Sequence, residues 1–208
     1  MLKVLVACEY SGRVRDAFTR MGHFAMSCDL LPTDVDGPHY QGDVRDVLGD
    51  GWGLMIAHPP CTYLCASGLH WNNRGRGWQG TEDALAFVRL LMAAPIPRIA
   101  IENPLGRIGT AIRKADQVVQ PYDFGDDASK RTGLWLAGLP KLRPDPAKRV
   151  AGRLVNGVER WANQTDSGQN KLPPTADRWK LRSATYPGIA EAMADQWGDL
   201  ETFRLRAG

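Results

Sequence analysis

Leu54-Met55-Ile56-Ala57-His58-Pro59-Pro60-Cys61-Thr62-Tyr63-Leu64-Cys65 is an apolar run that stops at two prolines, with a cysteine directly after them. Leu54 to Ala57 reads as a short strand buried inside a parallel sheet. Proline cannot donate to a ladder and fixes φ, so Pro59-Pro60 ends the strand and holds the next residue stiffly at its carboxyl edge. Ligands of open α/β sheets bind at that edge. Cys61 is therefore a thiol on a rigid turn where a nucleophile would be wanted, although a small buried thiol capping a strand is the plain alternative.

Outward from this strand the chain keeps a strand–helix–strand rhythm. Lys3 to Cys8 reads as a first buried strand, followed by the turn Glu9-Tyr10-Ser11-Gly12. Val14, Phe18 and Met21 then fall at helical spacing before Gly22 closes the helix. Phe24 to Cys28 is a second strand ending in Asp29, and a loop with Pro32 and Pro38 leads to Gly42-Asp43-Val44. The rhythm predicts parallel crossovers and an α/β, doubly wound, mostly parallel Rossmann-like sheet with helices on both faces. A glycine turn after the first strand and an acid ending the second is the general layout of a nucleotide-type cofactor site, since a carboxylate there suits ribose hydroxyls. Gly12 as a simple turn residue and Asp29 as a solvated strand end are the alternatives.

Composition sets the outer bounds. The 208 residues are 43% hydrophobic and 24% charged, with a net charge of +3, as in an ordinary globular domain with a real core. One domain over residues 1–208 is expected. No apolar run approaches the roughly 20 residues of a membrane span, and Met1-Leu2-Lys3 leads directly into strand-like residues, so no membrane partner and a cytoplasmic location are expected. Cys8, Cys28, Cys61 and Cys65 are too few and too unevenly spaced for a disulfide scaffold and are taken as reduced.

Beyond Cys61 the chain mixes glycine, tryptophan and arginine from Ser67 to Gly80. Glycines make such a loop mobile, arginines (Arg74, Arg76) suit phosphates, and tryptophans (Trp71, Trp78) suit bases. Thr81-Glu82-Asp83 reads as a hydroxyl-capped helix start, with Leu85, Val88, Leu91 and Met92 on its apolar face. Arg98 to Ile101 is the next buried strand, ending in Glu102-Asn103-Pro104. Cys61 and Glu102 thus reach the same sheet edge on neighbouring strands, with Asn103 beside them. Val118–Phe124 and Leu134–Leu136 read as two further strands joined by a turn holding Lys130 and Arg131. Residues 140–182 are rich in proline, glycine and charge, and read as an irregular, basic excursion rather than a second domain. A helix with Ile189, Met193 and Trp197 on one face follows Tyr186-Pro187.

In this order the motifs resemble the S-adenosylmethionine-dependent cytosine-5 methyltransferases, over most of residues 1–136 and again at about 183–197. The resemblance implies a cofactor site of Ala7, Cys8, Glu9, Tyr10, Ser11 and Gly12, with Asp29 and Leu30 at the ribose, Asp43 and Val44 near the adenine, and Pro59 and Thr185 also in contact. Pro59-Pro60-Cys61 matches the family's nucleophile motif, with Ser67-Gly68 following, and Glu102-Asn103 matches its Glu-Asn pair. Arg131 stands where the first arginine of the Gln-x-Arg-x-Arg motif falls, so Cys61, Glu102 and Arg131 are the implied catalytic set. Pro60, Ser67 and Asn103 are the substrate contacts at the matched motifs, and the residue types of the loop beside the nucleophile add Trp71, Arg74, Arg76 and Trp78. Glu9 and Ser11 depart from the usual glycines, Pro104 replaces a valine, Gly133 replaces the second arginine, and the target-recognition region is missing or reduced to residues 140–182.

The chemistry of that family explains the residue types. Carbon 5 of cytosine is a poor nucleophile, and a thiolate added at carbon 6 makes it enamine-like. A carboxyl group at ring nitrogen 3 compensates the added charge. The implied substrate is cytosine in DNA, read with little sequence discrimination because 140–182 offers little to place in a groove, while its Lys141, Arg143, Lys148, Arg149 and Arg153 suit phosphates. A free cytidine nucleotide (dCMP or CMP) is the alternative substrate. Two other classes stay open. One is a zinc module built from His58, Cys61, Cys65 and His70, although a second paired cluster and a deaminase His-x-Glu are both missing and no metal is expected. The other is an inactive nucleic-acid-binding module.

Overall fold

The computed structural model describes residues 1–175 and 178–199. Residues 176–177, within the stretch read as an excursion, and 200–208 lie outside the described residues. β1 (Lys3–Ala7), α1 (Arg13–Arg20), β2 (Phe24–Asp29), β3 (His39–Gln41) and β4 (Leu54–Ala57) follow in chain order, then α2 (Ala66–Leu69), α3 (Gln79–Met92), β5 (Ile99–Pro104) and α4 (Arg107–Ala111). β6 (Gln117–Val119), β7 (Thr132–Ala137), β8 (Arg153–Val155), β9 (Val158–Arg160), α5 (Arg178–Ser183) and α6 (Pro187–Gly198) complete them.

The first seven strands form one sheet in the order β3-β2-β1-β4-β5-β7-β6, and β8-β9 form a separate ribbon. β1 to β5 pair in parallel, while β7 runs antiparallel to both β5 and β6. This is the doubly wound order with one antiparallel strand slipped between the fifth and sixth positions, so the expected fold class is what the chain adopts. Side chains alternate between the two faces. Val4, Val6, Leu54, Ile56 and Ala100 pack under α1 and α6, with Phe18, Met193 and Trp197. Leu5, Ala7, Met55, Ala57, Ile99 and Ile101 pack on the other face, with Leu85, Val88 and Leu91 of α3 and with Trp52 and Trp135. Among the described residues no helix is long and apolar enough to cross a membrane.

Several local expectations are corrected. Val118–Phe124 is not one strand: β6 ends at Val119, and Pro121, which fixes φ and lacks a donor, opens a 3-10 turn through Phe124. Thr81 does not cap α3, which begins at Gln79. Its buried hydroxyl instead donates to the Tyr63 carbonyl (3.0 Å) and accepts from Asn72 Nδ2 (2.8 Å), tying the loop after Cys61 to the helix. The 140–182 excursion contains the β8–β9 ribbon, turned by Asn156 (φ 51°) and Gly157 (φ 78°). Asn-Gly is the pair a two-residue hairpin turn with two positive φ angles favours. Trp161 anchors this segment by stacking on Tyr122 with ring centroids 3.9 Å apart.

One buried cation holds the first crossover together. Arg15 of α1 is fully buried, and its guanidinium donates to Asp16 Oδ1 (2.7 Å), Ser27 Oγ (3.2 Å), Thr33 Oγ1 (3.3 Å) and the carbonyls of Val35 and Asp36 (3.3 and 3.0 Å). Gly12, at φ 71°, leaves room for it, since a Cβ there would lie 2.5 Å from Arg15 Nη2. Removing the guanidinium strands several buried acceptors. Arg15→Ala is expected to destabilise the protein by roughly 3 kcal/mol, and to lower Tm by roughly 6–12 °C for a chain of this size. Thermal melts of the two proteins check this, and unchanged melting contradicts it.

Candidate active site

Parallel register builds the site from the sheet outwards. Ala7 pairs with Cys28 on one side and Ala57 on the other, and Ala57 pairs with Ile101. The next residue on each strand therefore forms one row beyond the ladder: Asp29, Cys8, His58 and Glu102. Strand order reverses between β1 and β4, so the crevice at the middle of that row is the topological switch point.

Cys61 is half-buried just past the prolines, at the head of a tight turn in which Leu64 and Cys65 donate backbone N–H groups to its carbonyl (3.0 and 2.9 Å). Asn103 Nδ2 donates to the Pro59 carbonyl (2.7 Å), locking the proline turn to β5. Gly68 closes over the turn from the far side, and a Cβ there would lie 1.8 Å from the Thr62 carbonyl oxygen. Pro59, Pro60, Cys61, Glu102 and Asn103 line one small cavity of about 90 Å³, with His58, Lys130 and Thr185 in the same wall.

Glu102 and His58, neighbours in the row, touch: Glu102 Oε2 lies 2.9 Å from His58 Nδ1, and both side chains are only 9% exposed. Burial pushes the Glu102 carboxyl up. The Lys130 charge, the His58 contact and a hydrogen bond from Thr132 outweigh burial and hold it below its ordinary value, so the group is ionised at neutral pH. Thr185 Oγ1 lies 3.5 Å from His58 Nδ1, which joins the segment before α6 to the pair. His58 was read from sequence only as a zinc ligand, and Lys130 only as a turn residue. The spacing of His58 to the nucleophile and of Lys130 to Arg131 is short, but only strand register reveals that both reach Glu102. Arg131 is exposed and lines the outer cleft instead.

The cofactor-side residues divide. Asp29, Leu30, Asp43, Val44, Pro60 and Phe87 line a cavity of about 210 Å³ that continues the row towards β2 and β3, with Cys8 at its inner end. Asp43 accepts from Arg45 Nε (2.9 Å), Arg45 Nη2 (2.5 Å) and the Arg45 backbone N–H (3.0 Å), and these bonds depress its carboxyl to about 2. Cys8, Glu9, Tyr10 and Ser11 line the small cavity by Cys61. Cys8 has φ 57°, a left-handed conformation that costs a side chain about 1 kcal/mol and is commonly found at ligand sites. Glu9 is turned into the fold: its buried carboxylate accepts from the N–H groups of Val14 (2.8 Å) and Arg15 (3.2 Å), capping α1. Tyr10 is likewise engaged, donating to the Lys180 carbonyl (3.0 Å) and sharing a hydrogen bond with Ser183 Oγ (2.8 Å). Ala7 stays in the ladder, and Gly12 faces Arg15.

On the other side of Cys61 opens a cleft of about 840 Å³. Ser67, Trp71 and Arg76 line it, together with Asn163, Gln164, Trp179 and Arg182 from the excursion. Arg13, Lys130 and Arg131 also line it, and among the described residues no carboxylate does. Trp71 and Trp179 are about half exposed. Arg74 and Trp78 do not line this cleft: Trp78 lies against the Arg107 guanidinium, 5.6 Å from its ring centroid. His58, Cys61, Cys65 and His70 are not brought together as ligands, and among the described residues no group of three or more His, Cys, Asp or Glu is placed to hold a metal ion.

No protein-family model matches this chain, and no curated protein is significantly similar to it. The geometry of Glu102 carries its own test. A carboxyl with a depressed folded-state pKa contributes stability that is present above its ordinary value of 4.5 and lost as pH falls through the folded value. Urea unfolding of wild type and Glu102→Gln is therefore expected to give a stability difference at pH 7 that shrinks below pH 4.5. A difference constant with pH contradicts this.

Proposed function

We propose that this chain is an S-adenosylmethionine-dependent methyltransferase that modifies carbon 5 of cytosine in DNA with little sequence discrimination. The observation that carries the reading is the pairing of a thiol and a carboxylate at one switch-point cavity: Cys61 on its proline turn, beside Glu102 ionised and buried in strand register with His58. A rigid thiol suits addition to carbon 6, and the proton held between Glu102 and His58 suits charge compensation at ring nitrogen 3.

The residues present fit the cofactor. Asp29 suits ribose hydroxyls, Asp43 with Val44, Leu30 and Phe87 suits an adenine edge and face, and the Cys8–Ser11 turn with Thr185 suits the amino-acid end. S-adenosylmethionine supplies an electrophilic methyl group when bound there. Cys61 attacks carbon 6, and the Pro59–Pro60 turn spares the entropy of orienting it. The His58–Glu102 pair holds the proton that meets charge developing at nitrogen 3, and Lys130 stabilises that charge.

The outer cleft favours a polynucleotide over a free nucleotide. It is much larger than the cavity at Cys61 and, among the described residues, carries five cations and two exposed tryptophans, the combination that grips phosphates and stacks on bases. The excursion supplies about a third of the residues that line that cleft, but the regular pieces described in it, the three-residue-per-strand β8–β9 ribbon and the six-residue α5, are short for reading a groove. Purified protein with methyl-labelled cofactor is to be offered duplex DNA, single-stranded DNA, RNA and dCMP side by side. Label is expected in DNA at many sequence contexts, with log affinity falling against log salt with a slope of roughly 3 to 5 for the five cations. Cys61→Ser is expected to lower transfer at least ~1,000-fold while cofactor binding by calorimetry persists. Label confined to dCMP, or full activity of Cys61→Ser, contradicts the proposal.

A further inference from the structure

Five of the protein's seven tryptophans are committed to the fold itself. Trp135 and Trp197 are buried in the two core layers. Trp161 stacks on Tyr122, and Trp52 stacks with Phe24 and carries the Lys3 ammonium over its ring, 4.4 Å from the centroid. Trp78 lies against the Arg107 guanidinium. Trp71 and Trp179 differ. Each is about half exposed, and each meets its aromatic neighbour at a steep angle instead of face to face: His70 at 81° for Trp71, Tyr10 at 60° for Trp179. They come from distant parts of the chain, the loop after α2 and helix α5, yet both line the outer cleft together with Cys61.

The charges follow the same division. Arg149 and Arg153, which composition offers for phosphates, are engaged within the excursion: Arg149 pairs with Glu159 (2.6 Å) and Arg153 with Asp166 (2.8 Å). Arg13, Arg76, Lys130, Arg131 and Arg182 line the cleft, and among the described residues none of the five is paired with a carboxylate. Free aromatic surface and free positive charge are thus gathered in one place, around the thiol.

We infer that the outer cleft takes an unpaired DNA strand, with bases stacked on Trp71 and Trp179 and phosphates held by the five cations, and that duplex DNA is the poorer ligand. That the polymer is DNA rests on the functional reading above; that the strand is single rests on the rings and charges. A base offers its face to a tryptophan only when that face is free, and within a duplex both faces are covered by the neighbouring base pairs. A duplex is read instead by base edges in a groove, through an inserted helix or ribbon, and α5 and the β8–β9 ribbon are short for that task. Cys61 lines both the cleft and the small cavity it shares with Glu102, so a base reaches the thiol by way of the cleft. A paired base must first be extruded, at a cost in pairing and stacking that an unpaired base does not meet. A mononucleotide covers only one of the two rings. Stacking also tolerates every base, in keeping with little sequence discrimination.

Fluorescence anisotropy of end-labelled DNA with the full chain tests this without any methyl transfer. The probes are two single strands of about 20 nucleotides that cannot fold on themselves, one with cytosine and one without, and the blunt duplex of each; this length exceeds the roughly 4–16 nucleotides of known single-strand sites. Wild type is expected to bind each single strand about tenfold or more tighter than its duplex at the same salt, and the two single strands within about threefold of each other. Trp71→Ala and Trp179→Ala are each expected to weaken single-strand binding roughly tenfold, with the salt slope unchanged because the phosphate contacts remain. Arg182→Ala is expected to lower the slope of log affinity against log salt by about 0.7, one phosphate contact. Trp71→Phe and Trp179→Phe, which keep a ring, are expected to retain most of the affinity, an outcome that a damaged fold would not give.

Duplex bound as tightly as single strand, no DNA bound at all, or alanine variants that bind the single strand as wild type does overturns the inference. Its failure is distinguishable from that of the functional reading. Single-strand binding through these rings without methyl transfer leaves the strand site standing and removes the function. Methyl transfer to DNA with no preference for single strands leaves the function standing and removes the strand site.

Discussion

Ala57 is hydrogen-bonded in register between Ala7 and Ile101, and every feature of the site descends from that alignment. Because the three strands run parallel and level, their next residues emerge side by side at one edge. Cys8, His58 and Glu102 are brought together by backbone pairing, without help from a loop. Side-chain alternation then turns the residues before them into the two buried layers, so the site rests on a core that extends to both faces. A slip of one residue in β4 would send His58 away from Glu102 and exchange the side chains that β4 gives to the two buried layers.

The same alignment explains the electrostatics. A carboxylate as buried as Glu102 would ordinarily be driven towards its neutral form. Lys130, His58 and Thr132 converge on it from the β6–β7 connection, β4 and β7, and they reverse that tendency. The cofactor-side acids are handled differently. Asp43 is tied to Arg45 near the surface, where ion pairs are screened and weak, so the arginine sets orientation more than stability. Glu9 is consumed by the fold, since its carboxylate takes the α1 N–H groups that would otherwise face a ligand.

Much of this was legible in the residues. The apolar run ending in Pro59-Pro60, the acid ending β2 and the Glu102-Asn103 pair ending β5 are local signals, and each falls at the strand end expected. The meeting of Cys61 and Glu102 at one edge follows from those signals too, and what escaped were the side-chain partners that gather around Glu102. His58 and Lys130 acquire meaning only when register sets them against Glu102, and Arg131, adjacent to Lys130, points into the outer cleft instead. The 140–182 segment was read as irregular because proline, glycine and charge mask the Asn156-Gly157 hairpin signal. That its Asn163 and Gln164, with Trp179 and Arg182, line the same cleft as Trp71 is a consequence of long-range packing that no local pattern encodes. Trp78 shows the converse: its composition suggested a base contact, yet it is paired with Arg107.

The central claim is that Cys61 forms a covalent bond to carbon 6 of a cytosine. Fluorine at carbon 5 cannot leave as a cation, so a 5-fluorocytosine in DNA should arrest the reaction after methyl transfer with the bond to sulfur intact. Incubation of the protein with such DNA and S-adenosylmethionine, followed by peptide mass spectrometry, reads that bond directly. The account predicts a stable adduct on the peptide bearing Cys61, dependent on the cofactor and lost in Cys61→Ala. Methylation of ordinary cytosine without any adduct on Cys61, or an adduct on another residue, would contradict it.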